Sequence, residues 1–236
     1  MLLAAGRGER MRPLTDRIPK PLVEVAGVAL IEHHLQNLAA AGVRDVVVNH
    51  AHLGEQIEQR LGDGARFGLR IRYSREPEGA LETAGGILRA LPMLCESNDS
   101  FLVVNADIFS DYDFAPLLQH DLAEHWVHLV MVDTPSFKTA GDFALLPATQ
   151  SAQSSANAGF EVAETGEELL TFSGISLMST KLFAGCEPGR AALKPLLVRA
   201  MQNHCASGEH YCGEWYDVGT VERLQWLNEH CEGKYK

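Results

Sequence analysis

The 236-residue chain has an ordinary globular composition, with 46% hydrophobic residues, 22% charged residues and a formal net charge of −11. This acidity argues against sequence-general binding of DNA or RNA, which needs a basic surface, and no apolar run reaches the roughly 18 residues that a membrane span requires. The five cysteines are scattered and odd in number, so we expect reduced thiols and a cytoplasmic protein with no membrane or nucleic-acid partner.

The first part of the chain alternates short apolar strands with amphipathic helices. The first five residues predict a strand that starts at residue 1 and is short for a buried parallel strand, so we expect further residues upstream. The pattern then predicts helix 28–42, strand 45–50, helix 52–64, strand 69–74, helix 83–94, strand 100–109, a helix near 113–124 and strand 128–133. This alternation predicts βαβ units and a parallel sheet with helices on both faces.

The later part of the chain is less regular. Residues 145–159 are rich in Ser, Ala, Gln and Asn, and strand-like stretches lie before them at 142–146 and after them at 169–179. We therefore expect a long, mobile loop inside a hairpin rather than a linker between domains. No hexapeptide repeat follows the α/β region, which argues against an appended β-helix.

A basic, glycine-bearing loop follows the first predicted strand. Residues 6–20 contain four arginines and one lysine against two acidic side chains, a local net charge of +3 on an acidic chain. A basic loop with Gly6 and Gly8, at the carboxyl end of a strand, indicates a dedicated anion site.

Three interpretations of this glycine pair differ in the ligand that they imply. A dinucleotide-binding loop needs a third glycine where Met11 stands and a helix after it, but Pro13, Pro19 and Pro21 exclude a helix start. A Walker loop needs Gly-Lys-Ser/Thr, which does not follow. An ordinary glycine turn with exposed arginines stays open, although the basic cluster counts against it.

The segment LAAGRGERMRPLT at 3–15, followed by PKPL at 19–22, resembles the signature of the sugar-1-phosphate nucleotidyltransferases. The resemblance covers essentially the whole chain. It implies one Rossmann-like α/β domain over residues 1–236, with a mixed, mostly parallel sheet flanked by helices and a sugar-binding part at roughly 110–215. It also implies nucleotide contacts in this loop from Leu3, Ala4, Ala5, Gly6, Gly8, Glu9, Arg10 and Lys20.

Within that resemblance, individual residues take distinct roles. Arg10 would hold the leaving pyrophosphate, since a guanidinium donates two hydrogen bonds to a phosphate. Lys20 resembles the lysine that neutralises charge at the α-phosphate, with a solvated lysine between two prolines as the alternative. Asn105 and Asp107, in the segment NAD after strand FLVV, would contact the nucleotide and Mg²⁺ respectively. Asp217, in EWYDVGT, resembles the second metal carboxylate, with a turn aspartate as the alternative.

The segment LETAGG at 81–86 stands where many relatives have Leu-Gly-Thr-Ala-Gly. Together with Asn49-His50 and TFSGIS at 171–176, it resembles one branch of the family, the N-acetylmuramate α-1-phosphate uridylyltransferases. That branch implies that Glu82 and Thr83 contact the base or the ribose, where a carboxylate can accept from the N3–H of uracil. Asp142 and Gly174 are the candidates for sugar binding.

The activity implied is Mg²⁺-dependent transfer of UMP from UTP to N-acetylmuramate α-1-phosphate, with a role in peptidoglycan recycling and no prediction of an oligomeric state. A thymidylyl- or guanylyltransferase acting on glucose- or mannose-1-phosphate stays open. So do an NAD(P)-binding oxidoreductase and a non-catalytic sugar-nucleotide binding protein. Zinc is disfavoured, because the spacing of His204, Cys205, His210 and Cys212 is not that of a zinc site.

Overall fold

The computed structural model describes residues 1–77, 81–95, 99–147 and 160–231. The strands are β1 (Leu2–Leu3), β2 (Glu24–Val25), β3 (Val28–Ala29), β4 (Asp45–His50), β5 (Arg70–Arg75), β6 (Ser100–Asn105), β7 (Ile108–Ser110), β8 (Val127–Val132), β9 (Ala144–Pro147), β10 (Phe160–Ala163), β11 (Thr171–Ser179), β12 (Ala206–His210) and β13 (Trp215–Asp217). The helices are α1 (Leu30–Ala40), α2 (Gly54–Leu61), α3 (Glu82–Leu94), α4 (Phe114–Leu118), α5 (Lys194–Gln202) and α6 (Val221–Cys231).

Within those ranges, nine strands form one sheet in the order β5-β4-β1-β6-β11-β8-β12-β10-β9. The first four are parallel to one another, and β8 is parallel to β12. Strands β11 and β10 are antiparallel to both of their neighbours, so the other seven strands of the nine run in one direction. The expectation of a mixed, mostly parallel α/β sheet is confirmed.

The sheet is buried on both faces, as continuous apolar strands of a parallel sheet require. Along β4, Val46 and Val48 pack into a cluster with residues of α1 and α2, whereas Val47 packs into a second cluster with residues of α3 and α5. Helices therefore cover both faces. The carboxyl ends of β1, β4 and β6 are left at one edge of the sheet, under the loops that follow them.

Most predicted elements are found, and the differences have local causes. The predicted strand 45–50 is β4 as it stands. The predicted strand 100–109 is interrupted, since β6 ends at Asn105 and β7 begins at Ile108. The helix predicted near 113–124 ends at Leu118, and beyond it the Asp121 side chain accepts a hydrogen bond from the backbone N–H of Ala123 in a separate turn.

The predicted hairpin is confirmed, but its second arm is β10 rather than the stretch predicted at 169–179. Strand β9 pairs with β10, which the sequence pattern did not identify, and β11 lies instead between β6 and β8. The two predicted arms meet at an isolated bridge from Phe143 to Leu170 and through a hydrogen bond from the Phe172 N–H to the Asp142 carboxylate. Strand β11 is almost wholly buried, which suits a central strand. Residues 148–159 of the predicted loop lie outside the described residues.

Two general properties accompany this fold. All five cysteines are free thiols. In the part of the chain that the structure describes, each helix is too short or too polar to cross a bilayer.

Candidate active site

A cavity of about 210 Å³ opens at the carboxyl ends of β1, β4 and β6. In open α/β sheets this edge is the usual place for a ligand. The cavity brings together nine of the predicted catalytic and nucleotide-binding residues, which are Leu3, Ala4, Ala5, Gly6, Lys20, Glu82, Thr83, Asn105 and Asp107. These residues come from four separate segments of the chain, so their convergence is a property of the fold.

A second cavity, of about 470 Å³, adjoins the first and contains both predicted sugar-binding residues, Asp142 and Gly174. The two cavities share four lining residues, which are Leu3, Glu82, Thr83 and Asn105. Gly174 lies at a register shift of β11 with a φ of +86°, and a Cβ there would come within 2.6 Å of Asn105 Nδ2. Glycine is therefore needed where the two cavities meet. We call the first the nucleotide cavity and the second the acceptor cavity, after the roles predicted for the residues that line them.

Lys20 and Asp107 form an ion pair in the nucleotide cavity, with 2.6 Å between Nζ and Oδ2. The lysine side chain is only 7% exposed, whereas that of Asp107 is 39% exposed. Lys20 begins a short 3₁₀ turn between two prolines, which fixes the direction of its backbone. The alternative of a solvated lysine is wrong, since the ammonium group is buried against a carboxylate.

The loop that carries Lys20 is anchored to the body of the protein. Met11, at the position of the missing third glycine, is fully buried in a core cluster with residues of α6. Gly8 has a φ of +64°, and a Cβ there would lie 2.9 Å from Thr15 and 3.2 Å from Cβ of Lys20. The Thr15 hydroxyl donates to the carbonyl oxygen of Gly8 at 2.8 Å. Gly8 therefore sets the close approach that positions Lys20.

Three of the predicted nucleotide contacts lie away from this cavity. Among the described residues, its lining does not include Gly8, Glu9 or Arg10. The guanidinium of Arg10 instead approaches Gly219, where a Cβ would lie 3.0 Å from both Arg10 Nη2 and Asp217 Oδ2. Arg10 is thus placed beside the second predicted metal carboxylate rather than beside Lys20.

The two predicted metal carboxylates lie on neighbouring segments. Strand β13 pairs with β7 so that Asp217 is opposite Ile108, the residue that follows Asp107. Asp217 accepts a hydrogen bond from Arg223 at 2.7 Å, while Asp107 is paired with Lys20. Each carboxylate is therefore paired with a cationic side chain. Carboxylate oxygens fit Mg²⁺, which takes few protein ligands and completes its shell with phosphate and water.

The structure does not support the disfavoured zinc site. Across residues 1–77, 81–95, 99–147 and 160–231, no three His, Cys, Asp or Glu side chains are grouped so that they could hold a metal. His210 contacts Asp133 at 2.8 Å, and the side chain of His204 is 78% exposed. These histidines therefore have separate surroundings.

A buried network that the sequence analysis missed joins three segments of the nucleotide cavity. Asn49 accepts from the backbone N–H of Ala4 at 2.9 Å and donates to Glu76 at 2.6 Å, and Glu76 accepts from the N–H of Leu81 at 3.0 Å. Both side chains of the Asn49–Glu76 pair are buried. The available signal was an acidic residue directly after β5, at the same sheet edge as Asp107.

Arg190 is the second residue that the sequence analysis missed. It forms an ion pair with Glu82, with 2.8 Å between Arg190 Nη2 and Glu82 Oε1. Ala191, which follows it, exchanges backbone hydrogen bonds with Leu81 and Gly85 at the start of α3. Glu82 itself has a φ of +57°, the left-handed conformation that glycine adopts easily. The predicted base contact is thus held at the junction of the two cavities.

The chain is similar to known proteins over nearly its whole length. Residues 1–143 match the family described as nucleotidyl transferase. The chain is 48% identical to the N-acetylmuramate alpha-1-phosphate uridylyltransferase of Neisseria meningitidis, over 95% of this chain and 94% of the relative. It is 35% identical to the enzyme of the same name from Caulobacter vibrioides, over 94% and 92% of the two chains. The mannose-1-phosphate guanyltransferase of Yarrowia lipolytica is 38% identical over 58% of this chain and 38% of its own length.

Solved structures share the fold. The crystal structure of a candidate glucose-1-phosphate thymidylyltransferase from Bacillus anthracis has a TM-score of 0.78 at 20% identity, covering 98% of this chain and 94% of that one. HddC from Yersinia pseudotuberculosis has a TM-score of 0.72 at 17% identity, covering 97% of each chain. At these identities the solved structures show the fold alone, whereas the family match and the two relatives matched along nearly their whole length show the family. The chain therefore belongs to the nucleotidyl transferase family, as a sugar-1-phosphate nucleotidyltransferase.

Proposed function

We propose that the chain transfers UMP from UTP to N-acetylmuramate α-1-phosphate in the presence of Mg²⁺, giving UDP-N-acetylmuramate and pyrophosphate. The observation that carries the proposal is the pair of adjoining cavities, one of which holds the Lys20–Asp107 pair. Two substrates that react with each other need two such sites in contact. The uridylyl group and the sugar are taken from the two relatives that match along nearly their whole length.

In the proposed reaction, a phosphate oxygen of the sugar 1-phosphate attacks the α-phosphorus of UTP. A new P–O bond forms there as the bond from the α-phosphorus to the oxygen bridging to the β-phosphate breaks, and pyrophosphate leaves with the electron pair. The attacking phosphate is already ionised at neutral pH, so the chain need not supply a general base. What the chain supplies is alignment of two anions and neutralisation of their charge.

Lys20 stabilises the charge on the α-phosphate as it is transferred. Its ammonium group is buried beside the cavity, where a charge interaction is stronger than in water. Arg10 holds the leaving pyrophosphate on the side of the site near Asp217. Asp107 and Asp217 would hold one Mg²⁺, which when bound supplies positive charge to the phosphates.

The remaining assignments divide between the two cavities. Glu82, Thr83 and Asn105 contact the nucleoside, together with the backbone of the first loop. Gly6 is suited to this, since a Cβ there would meet no atom of the described residues within 4 Å, so a ligand can approach its backbone. Asp142 and Gly174 contact the sugar, and the Asp142 carboxylate can accept hydrogen bonds from hydroxyl or amide groups.

A second candidate is a guanylyl- or thymidylyltransferase acting on mannose- or glucose-1-phosphate. The partial similarity to mannose-1-phosphate guanyltransferases favours it. Family membership argues against an oxidoreductase, and the presence of Lys20, Asp107 and Asp217 argues against a silent binding protein. We also propose a cytoplasmic location, which the free thiols support.

The experiment is a matrix of four nucleoside triphosphates against sugar 1-phosphates, with pyrophosphate release measured with and without Mg²⁺. N-acetylmuramate, N-acetylglucosamine, glucose and mannose 1-phosphates form the acceptor series. The proposal expects the highest kcat/KM for UTP with N-acetylmuramate α-1-phosphate, and turnover only with the metal. A maximum at GTP with mannose 1-phosphate would favour the second candidate instead.

A further inference from the structure

Lys194 lies at the wall of the acceptor cavity, at the first position of α5. Its ammonium nitrogen is 5.8 Å from the centroid of the Phe143 ring, and Phe143 is buried. Phe143 follows Asp142, the predicted sugar contact, along the chain. The ammonium group is therefore placed over a fixed ring at the sugar-binding end of the cavity, a geometry in which the ring face attracts the cation.

Three charged side chains line the acceptor cavity: Glu82, Asp142 and Lys194. The two carboxylates are neutralised from outside the lining, Glu82 by Arg190 at 2.8 Å and Asp142 by Lys138 at 2.8 Å.

Lys194, unlike these two carboxylates, has no ion-pair partner among the described residues. Lys194 is exposed, and its ammonium group lies over the aromatic face of Phe143. The acceptor cavity is thus left with one uncompensated positive charge, which suits an anionic group on the acceptor.

The proposed acceptor has such a group. N-acetylmuramate is N-acetylglucosamine with a lactic acid ether on O3, so the two sugar phosphates differ by one lactyl group, which carries a carboxylate and a methyl group. The acceptor phosphate must lie toward Asp107, where the reaction takes place, so the lactyl carboxylate is a second, separate anion. Leu193 and Leu197 are buried residues of the same wall and can contact the lactyl methyl group.

We propose that Lys194 binds the lactyl carboxylate of the acceptor and so determines the preference for N-acetylmuramate 1-phosphate over N-acetylglucosamine 1-phosphate. This inference rests on the proposed function and adds a specificity-determining residue to it. A cation that pairs with a group present in one acceptor and absent from the other discriminates between them through kcat/KM.

The test measures kcat/KM for both acceptors at saturating UTP in the wild-type chain, Lys194→Met and Lys194→Arg. We expect Lys194→Met to lose about tenfold with N-acetylmuramate 1-phosphate, as befits a partly exposed charge-assisted hydrogen bond, and to change little with N-acetylglucosamine 1-phosphate. Lys194→Arg should keep most of the preference. Lys181→Met is the matched control, because Lys181 follows β11 at the opposite edge of the sheet and is exposed.

The outcomes separate the two proposals. Suppose that Lys194→Met has an unchanged melting temperature and keeps the wild-type ratio of kcat/KM for the two acceptors, whether or not both values fall. The assignment of Lys194 is then wrong, while the proposed function stands. If the wild-type chain transfers nothing to N-acetylmuramate 1-phosphate but does transfer to another sugar phosphate, the proposed function is wrong and the inference falls with it.

Discussion

Replacing Lys20 by methionine should impair catalysis far more than folding. The substitution removes a buried ammonium group that lies 2.6 Å from the Asp107 carboxylate, and it keeps most of the apolar stem that packs beside Gly8. The reaction brings two phosphate anions together, so the loss of a pre-positioned cation raises the barrier directly. We expect kcat to fall by about 100- to 1,000-fold, the range observed when one charge-stabilising group is removed from an active site.

The effect on stability should be small for reasons visible in the same pair. The Asp107 side chain is 39% exposed, so water can solvate its charge after the lysine is removed. Loss of the ammonium group also removes the desolvation cost of burying it. The free energy of unfolding should therefore fall by about 1 kcal/mol or less, which for a chain of this size lowers the melting temperature by about 2–4 °C.

Two measurements on the same preparation check this. Steady-state pyrophosphate release gives kcat and KM for UTP, and a thermal melt gives stability. Lys181→Met serves as the control for removal of a lysine outside the site. Wild-type turnover in Lys20→Met would refute the role of Lys20, and a collapse of the melting temperature would show that the residue acts through the fold.

Three further predictions follow from individual contacts. Asp217→Asn should raise the Mg²⁺ concentration for half-maximal turnover by about tenfold or more, since one of two anionic ligands is lost, and chelation of the metal should abolish turnover in the wild type. The control is Asp113→Asn, at a helix N-cap. The same dependence of turnover on Mg²⁺ in both variants would contradict the proposed metal site. Gly8→Ala should lower the unfolding free energy by about 1–2 kcal/mol, because φ is +64° and a Cβ would lie 2.9 Å from a threonine methyl. The control is Gly6→Ala, where the space is open, and its unfolding free energy in denaturant titrations should stay within about 0.5 kcal/mol of the wild-type value. Equal losses of stability in the two variants would refute the steric argument. Burial lowers the pKa of His34 to about 4, so as the pH falls from 6.5 to 4 the unfolded chain takes up a proton at this ring while the folded chain keeps it neutral. The free energy of unfolding should therefore drop across that window by up to about 3 kcal/mol relative to the His34→Gln variant. Parallel curves of stability against pH for the two proteins would contradict this prediction.

Local patterns of the sequence were sufficient for the parallel part of the sheet. Strands such as β4 are continuous β-branched runs between amphipathic helices, and βαβ connections order them with few alternatives. The position of β11 was not predictable in this way. Its place between β6 and β8 depends on long-range antiparallel pairing, and its register shift near Gly174 has no signature in a single strand pattern.

The same distinction applies to the site. Lys20 and Asp107 stand in motifs that the resemblance identifies, and the fold brings their side chains into contact. Glu76 and Arg190 stand in no motif, because their roles depend on partners 27 and 108 residues away in the chain. The pairing of Arg223 with Asp217 was likewise not predictable, because it depends on the position of α6 beside β13.

The central claim is group transfer from UTP to a sugar phosphate, and product analysis by mass spectrometry tests it most directly. The wild-type chain is incubated with UTP, N-acetylmuramate α-1-phosphate and Mg²⁺, and the nucleotide products are identified. The account predicts UDP-N-acetylmuramate and pyrophosphate in equal amounts, neither of which forms in the Lys20→Met variant at a comparable rate. Release of free UMP with pyrophosphate, or no product from any sugar 1-phosphate, would contradict it.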